Sequence, residues 1–170
     1  KIPDSVVSIW DSAFKGCCSL IEIDLPKNVT EIGNCAFSGC KKLERVSMFD
    51  RIMSIGSSAF EDCSALKKIN IEANYLPGNL FDVNTKKLPN YCFYSRQKIH
   101  KKAFCNCKSL VSARFFIPSL DAIGEKAFMN CSSLKSLEIN SGYYSLMLNK
   151  NFNSTAFIGV PDDFNIKLFR

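Results

Sequence analysis

The chain has 170 residues, 46% of them hydrophobic and 22% charged, a composition that excludes general disorder and suits one buried core. Its purely apolar runs are only a few residues long, far short of the roughly 20 needed to cross a bilayer as a helix, and Lys1 opens no recognisable signal pattern. The net charge of +6 is uneven: residues 1 to 85 carry 9 Lys/Arg against 11 Asp/Glu, and residues 86 to 170 carry 13 against 5.

Taken along the chain, one unit recurs. Ala13-Phe14 is followed by Cys17, Leu20, Ile23 and Leu25, and Ala36-Phe37 by Cys40, Leu43, Val46 and Met48. Ala59-Phe60 leads to Cys63, Leu66, Ile69 and Ile71; Ala103-Phe104 to Cys107, Leu110, Ala113 and Phe115; Ala127-Phe128 to Cys131, Leu134, Leu137 and Ile139. The shared pattern is A-F-x-x-C-x-x-L-x-x-h-x-h, with h apolar. Five copies in one register make coincidence negligible.

Five residues before each Phe stands Ile (Ile9, Ile32, Ile55, Ile99, Ile123), followed in three units by glycine, Gly33, Gly56 and Gly124. Such a glycine predicts a tight turn with an unusual backbone angle. The Phe spacings are 23, 23, 44 and 24. The long gap predicts a degenerate fourth unit at Leu80-Phe81, with Leu88, Tyr91 and Phe93 as its strand. A seventh unit is read at Ala156-Phe157, with Val160, Ile166 and Leu168 in phase after an insertion near Gly142 to Asn151.

The L-x-x-h-x-h part alternates apolar and polar residues, the signature of a short strand with one buried face, and A-F-x-x-C is a turn. No single unit can bury its own Leu, Ile and Phe, but stacked units put like over like and make a continuous core. Parallel strands then lie about 4.8 Å apart, so seven coils rise about 30 Å. The first residues already sit mid-pattern and the end coils would expose core. Residues 1–170 therefore read as a single solenoid domain that is a piece of a longer protein.

Ile2-Pro3-Asp4-Ser5-Val6 through Ile9, Ala13-Phe14, Cys17 and Leu20 closely resembles the unit I-P-x-x-V-x-x-I-G-x-x-A-F-x-x-C-x-x-L of the BspA-like, or Treponema pallidum-type, leucine-rich repeats. The resemblance covers essentially the whole chain and is weakest in 72 to 98 and after 140. It implies a leucine-rich-repeat solenoid: a right-handed coil with a parallel β-sheet on one face, in about seven coils of ~23 residues. It also implies a non-catalytic role at the cell surface or outside the cell, in adhesion to host matrix proteins or neighbouring cells.

Positions flanking the buried strand residues project onto the exposed sheet face in three columns. The first runs Glu22, Arg45, Lys68, Asn90, Ser112, Ser136, Asn165; the second Asp24, Ser47, Asn70, Cys92, Arg114, Glu138, Lys167. The third runs Pro26, Phe49, Glu72, Tyr94, Phe116, Asn140, Phe169. Core packing does not dictate these residues. Arg45, Phe49, Lys68, Asn70, Asn90, Tyr94, Arg114 and Phe116 are the candidates for binding a protein partner, because aromatics and arginine tend to anchor interfaces; isolated exposed aromatics are also ordinary on any surface.

No acidic residue stands between Val83 and Leu120, whereas Lys86, Lys87, Arg96, Lys98, Lys101, Lys102, Lys108 and Arg114 do. Residues 86–114 are therefore weighed as a polyanion contact against solvated lysines that cover the coils. No nucleic-acid module is recognisable, and specific nucleic-acid binding is not expected.

Nine cysteines invite a zinc or disulfide reading. Cys17, Cys40, Cys63, Cys107 and Cys131, however, share one phased position and read as an inward ladder of small hydrophobes. There is no C-x-x-C pair and only one histidine, His100, so no metal, cofactor, catalytic residue or enzymatic activity is assigned. A protein-interaction module at the cell surface is the leading expectation. An intracellular scaffold that positions signalling or cytoskeletal partners is the alternative.

Overall fold

The computed structural model describes residues 1–49, 51–72, 98–115, 122–140 and 155–169. The repeat expectation holds: described residues form stacked coils joined by parallel strand pairing alone. β2 (Glu22–Asp24), β4 (Arg45–Phe49), β6 (Lys68–Glu72), β8 (Ser112–Phe115), β9 (Ser136–Asn140) and β10 (Asn165–Phe169) make a six-stranded sheet in that order. Each is the L-x-x-h-x-h segment of its coil.

A second sheet runs along another side. It is built from the two-residue strands β1 (Ser8–Ile9), β3 (Glu31–Ile32), β5 (Ser54–Ile55) and β7 (Lys98–Ile99), and a parallel bridge from Ile99 to Ile123 continues it. The fold therefore carries two parallel sheets, not one. A two-residue strand is too short to show alternation in the sequence, so the recurrent Ile was visible but its sheet was not.

Between the sheets, A-F-x-x-C curls through two residues in the left-handed region. One precedes Ala (Ser12, Cys35, Ser58, Lys102, Lys126), and the other lies two after Phe (Gly16, Gly39, Asp62, Asn106, Asn130, Gly159), with φ between 54° and 75° throughout. Short polar side chains and glycine tolerate this region best, which accounts for the second set. The Phe N–H of one coil donates to the Ala carbonyl of the next at 2.7 to 2.8 Å, from Phe14 to Ala36 up to Phe128 to Ala156. The rings consequently stack as a column, Phe14, Phe37, Phe60, Phe104, Phe128 and Phe157, with centroids 5.0 to 5.4 Å apart.

The glycines after Ile open the predicted turn, their carbonyls accepting from the N–H of Ala36, Ala59 and Ala127 at 3.4, 3.2 and 3.2 Å, but the unusual angle is not there: their φ is not positive. Instead, a Cβ on Gly33, Gly56 or Gly124 would lie 2.5 to 2.7 Å from atoms of the preceding coil. The coils approach so closely here that there is no room for a side chain.

The coil of Phe60 seats directly on the coil of Phe104. β5 pairs with β7 (Ser54 with Lys98), β6 with β8 (Lys68 with Ser112), and the two rings are 5.3 Å apart. Six described coils stack. The expected fourth unit, with Leu80, Phe81, Leu88, Tyr91 and Phe93, lies outside the described residues. The last unit is where its phase puts it, with Ile166 paired to Leu137 and Leu168 to Ile139.

Phased side chains of coils 2 to 5 form one core: Phe37, Phe60, Phe104 and Phe128 are fully buried with Leu43, Leu66, Leu110 and Leu134. Their counterparts in coil 1, Phe14, Leu20 and Ile23, are only partly buried and Cys17 is exposed. Pro26, placed in an outward column by phase, is buried.

Candidate interaction surfaces

The outer face of the long sheet presents its polar side chains in register. Glu22 faces Arg45, Arg45 faces Lys68, Lys68 faces Ser112, Ser112 faces Ser136 and Ser136 faces Asn165. The first predicted column therefore aligns at its described members. Asp24, Ser47 and Asn70 align in the second column, as do Arg114, Glu138 and Lys167. Asn90, Tyr94 and Phe116 lie outside the described residues. Phe49, paired with Glu72, is half-buried and not a protruding anchor.

Charge on this face is largely matched within the chain. The Arg45 guanidinium donates to Glu22 at 3.0 Å and to Asp24 at 2.8 Å, and these partners raise its already high pKa, Glu22 most. A hydrogen bond from Ser47, then Arg45, holds the Asp24 carboxyl below its ordinary range. Arg114 pairs with Glu138. Lys68 stands between the two clusters, exposed and without an ion pair among the described residues, and with Ser112, Arg114 and Glu138 it borders a depression of about 120 Å³.

Much of the basic stretch is neutralised in the same way across coils: Lys101 pairs with Glu125 at 2.9 Å and Lys102 with Glu61 at 3.5 Å. Lys101 holds the Glu125 carboxyl below its usual range. Lys86, Lys87 and Arg96 are outside the described residues. Lys108 is exposed and has no ion pair among them.

The turn side carries a feature the sequence did not announce. In coils 3, 4 and 5 the left-handed residue two after Phe is Asp62, Asn106 or Asn130. The Asn106 amide donates to Asp62 at 2.8 Å and the Asn130 amide to Asn106 at 2.9 Å. Beside this ladder runs the position after each phased Cys: Lys41, Ser64, Lys108 and Ser132. Together with Gly159 the two rows line a cleft of about 570 Å³. A shorter ladder, in which Asn34 donates to Asp11 and accepts from the Ser57 N–H, crosses coils 1 to 3. Recurrence of Asp or Asn at these offsets was the available signal, hidden because the repeat reads them as x.

The phased thiols are partly as expected. Cys40, Cys63, Cys107 and Cys131 are buried, and each Sγ–H donates to the Phe carbonyl of the preceding coil, at 3.0 to 3.1 Å. Burial pushes Cys107 well up and Cys131 to about 12, while Cys63 rises through its contact with Cys40 and through burial. Cys63, Cys107 and Cys131 are thus held as neutral thiols, whereas the side-chain hydrogen bond with Cys63 draws Cys40 down to about 7. Off-phase Cys105 is also buried, whereas Cys17 and Cys18 are exposed. Among the described residues no cluster of His, Cys, Asp and Glu could hold a metal ion, and no helix is long and apolar enough to cross a membrane.

The chain matches the family described as BspA type leucine rich repeat region in six copies, over residues 1–95 and 84–157. No curated protein sequence matches it. Among solved structures, it is similar to the leucine rich repeat protein of T. pallidum, at 25% identity and a TM-score of 0.56, covering 95% of this chain and 67% of that one. It is also similar to a leucine-rich repeat protein from Eubacterium ventriosum, at 22% identity and a TM-score of 0.62, covering 97% of this chain and 37% of that one. This chain thus spans about two thirds and about a third of the two, and proteins of this repeat type act as interaction modules, with no enzymatic family indicated. Family match, two-sheet coils and the thiol-capped Phe column agree, and the chain belongs to the BspA-type leucine-rich repeat family.

Proposed function

We propose that the chain is a cell-surface adhesion or recognition segment that binds a host matrix or neighbouring-cell protein through the outer face of the six-stranded sheet. The observation that carries this reading is the in-register lattice of charged and polar side chains: Glu22, Asp24, Arg45, Lys68 and Arg114, which are exposed, with the half-buried Ser112 and Glu138. Packing of the core accounts for none of them. A rigid solenoid holds such groups in place without ordering cost at the moment of binding.

Lys68 and Ser112 form the centre of the face, because the flanking arginines are drawn toward partners in coils 1 and 5. Asn70, at the second-column position of β6, sits beside Lys68. The experiment is surface plasmon resonance of the chain over immobilised matrix proteins, comparing the natural sequence with Arg45→Ala/Lys68→Ala/Arg114→Ala. Loss of about tenfold or more in affinity is expected, since removing charged interface groups costs more than 1.4 kcal/mol when they are central. Unchanged affinity in a variant with native circular dichroism would remove the sheet face from consideration.

A further inference from the structure

We propose that the turn-side cleft of coils 2 to 6 is a second binding site, for an acidic linear polysaccharide that carries one anionic group on every second sugar and lies along the solenoid axis. The cleft, of about 570 Å³, has no large apolar side chain on its walls: Lys41, Asp62, Ser64, Asn106, Lys108 and Asn130 face it with Ser132 and Gly159. Such a lining suits a ligand made of hydroxyl, amide and charged groups.

The order of the residues matches a polymer, not a single ion. Along the row after the phased cysteines, cation and hydroxyl alternate coil by coil: Lys41, Ser64, Lys108, Ser132. With coils about 4.8 Å apart, the two ammonium groups repeat every second coil, about 9.6 Å. An extended pyranose chain advances by about one coil spacing per sugar, so a chain with an anion on alternate sugars meets a lysine at each charge and a serine hydroxyl at each neutral residue. Both lysines are exposed and without an ion pair among the described residues, unlike Lys67, Lys101, Lys102 and Lys126. They are the two cations that line the cleft.

The second row is preorganised. Asp62, Asn106 and Asn130 are held at φ near 60° and linked amide to oxygen, so this wall of the cleft is a fixed array. Gly159 keeps the coil 6 end open, since a Cβ there would lie 2.7 Å from the Asn130 Oδ1. Asp62 opposes the proposed ligand. Its carboxylate accepts from Asn106 at one oxygen, but its charge lies between the two lysine coils and weakens anion binding by repulsion.

That opposition supplies the test. A hyaluronan decasaccharide, which bears a carboxylate on alternate sugars, is titrated calorimetrically into the chain at low ionic strength. Lys41→Ala/Lys108→Ala is expected to weaken binding by about tenfold or more, the loss of two charge-assisted contacts. Asp62→Asn, which keeps the acceptor for Asn106 and tolerates positive φ, is expected to tighten it severalfold. Lys68→Ala/Lys167→Ala, which removes the same charge from the sheet face, is expected to change it less than about twofold.

No binding by the natural sequence overturns the proposal. So does an equal loss in the sheet-face double variant, which would mean diffuse attraction, or an Asp62→Asn variant no tighter than the original. Equal affinity for a single-stranded oligonucleotide of matching charge, with charge at every repeat, would also overturn the alternating register. Retention on matrix protein is read separately, so either site can fail without the other.

Discussion

Glycine serves this repeat in two unrelated ways, and the difference is measurable. Gly16 and Gly39 stand in the left-handed region at φ +70° and +74°, Gly16 with open space where a Cβ would go and Gly39 with only ordinary contact there, 3.9 Å to Gly16. Gly33, Gly56 and Gly124 have ordinary angles but face the backbone of the preceding coil. The sequence pointed to an unusual angle at the second set because it holds no information about how near two coils come. In coil 4 the column is interrupted by His100, and its N–H to Ile55 carbonyl distance is 2.9 Å, against 2.7 Å at Gly33, Gly56 and Gly124. The contact relaxes slightly to admit the side chain, and burial, then Lys98, holds the imidazole below its ordinary pKa. Gly56→Ala forces a methyl to within 2.6 Å of the Gly33 carbonyl carbon and should cost about 1–3 kcal/mol as overpacking. Gly16→Ala meets no atom and should cost about 1–2 kcal/mol of backbone strain. Urea denaturation of both, together with Gly16→D-Ala by chemical synthesis, separates the causes: a D-residue relieves the strain at Gly16, whose φ is +70°. A Gly56→Ala variant as stable as the original sequence would refute the close-approach account.

Among the elements, the aromatic column was the most legible, because A-F-x-x-C recurs in five copies and its Phe residues are buried wherever a coil lies on both sides. The short sheet was not legible, and neither was the polar ladder, since both occupy positions the motif leaves free. The column also predicts a gradient. Phe60 is flanked by rings at 5.1 and 5.3 Å and is fully buried, whereas Phe14 is partly buried and stacks on Phe37 alone among the described coils. Phe60→Ala should cost about 3–5 kcal/mol, and Phe14→Ala about half of that, because part of its surface already meets water and little cavity is left. Guanidinium unfolding followed by far-ultraviolet circular dichroism gives both values. Equal costs would show that the first coil is packed as tightly as the third.

At the scale of the whole molecule, stability of a solenoid is close to a sum of coils and of interfaces between neighbours, so what matters is which coil touches which. Periodicity made the six described coils legible, and the unit expected within the Phe gap of 44 residues falls on positions outside the described residues. Across that gap both sheets continue from coil 3 to coil 4, through Ser54 with Lys98 and Lys68 with Ser112. The equivalent link from β4 to β5 needs only positions 50 to 53, between Phe49 and Ser54. Replacing 73–97 by the sequence of 50–53 should therefore preserve both sheets and a single cooperative transition. It should also raise stability by about 1–2 kcal/mol, since a shorter connection loses less entropy on closure. Thermal unfolding by calorimetry and the far-ultraviolet spectrum decide the matter. A broadened or split transition, or lost sheet signal, would mean that 73–97 contributes an interface of its own to the stack.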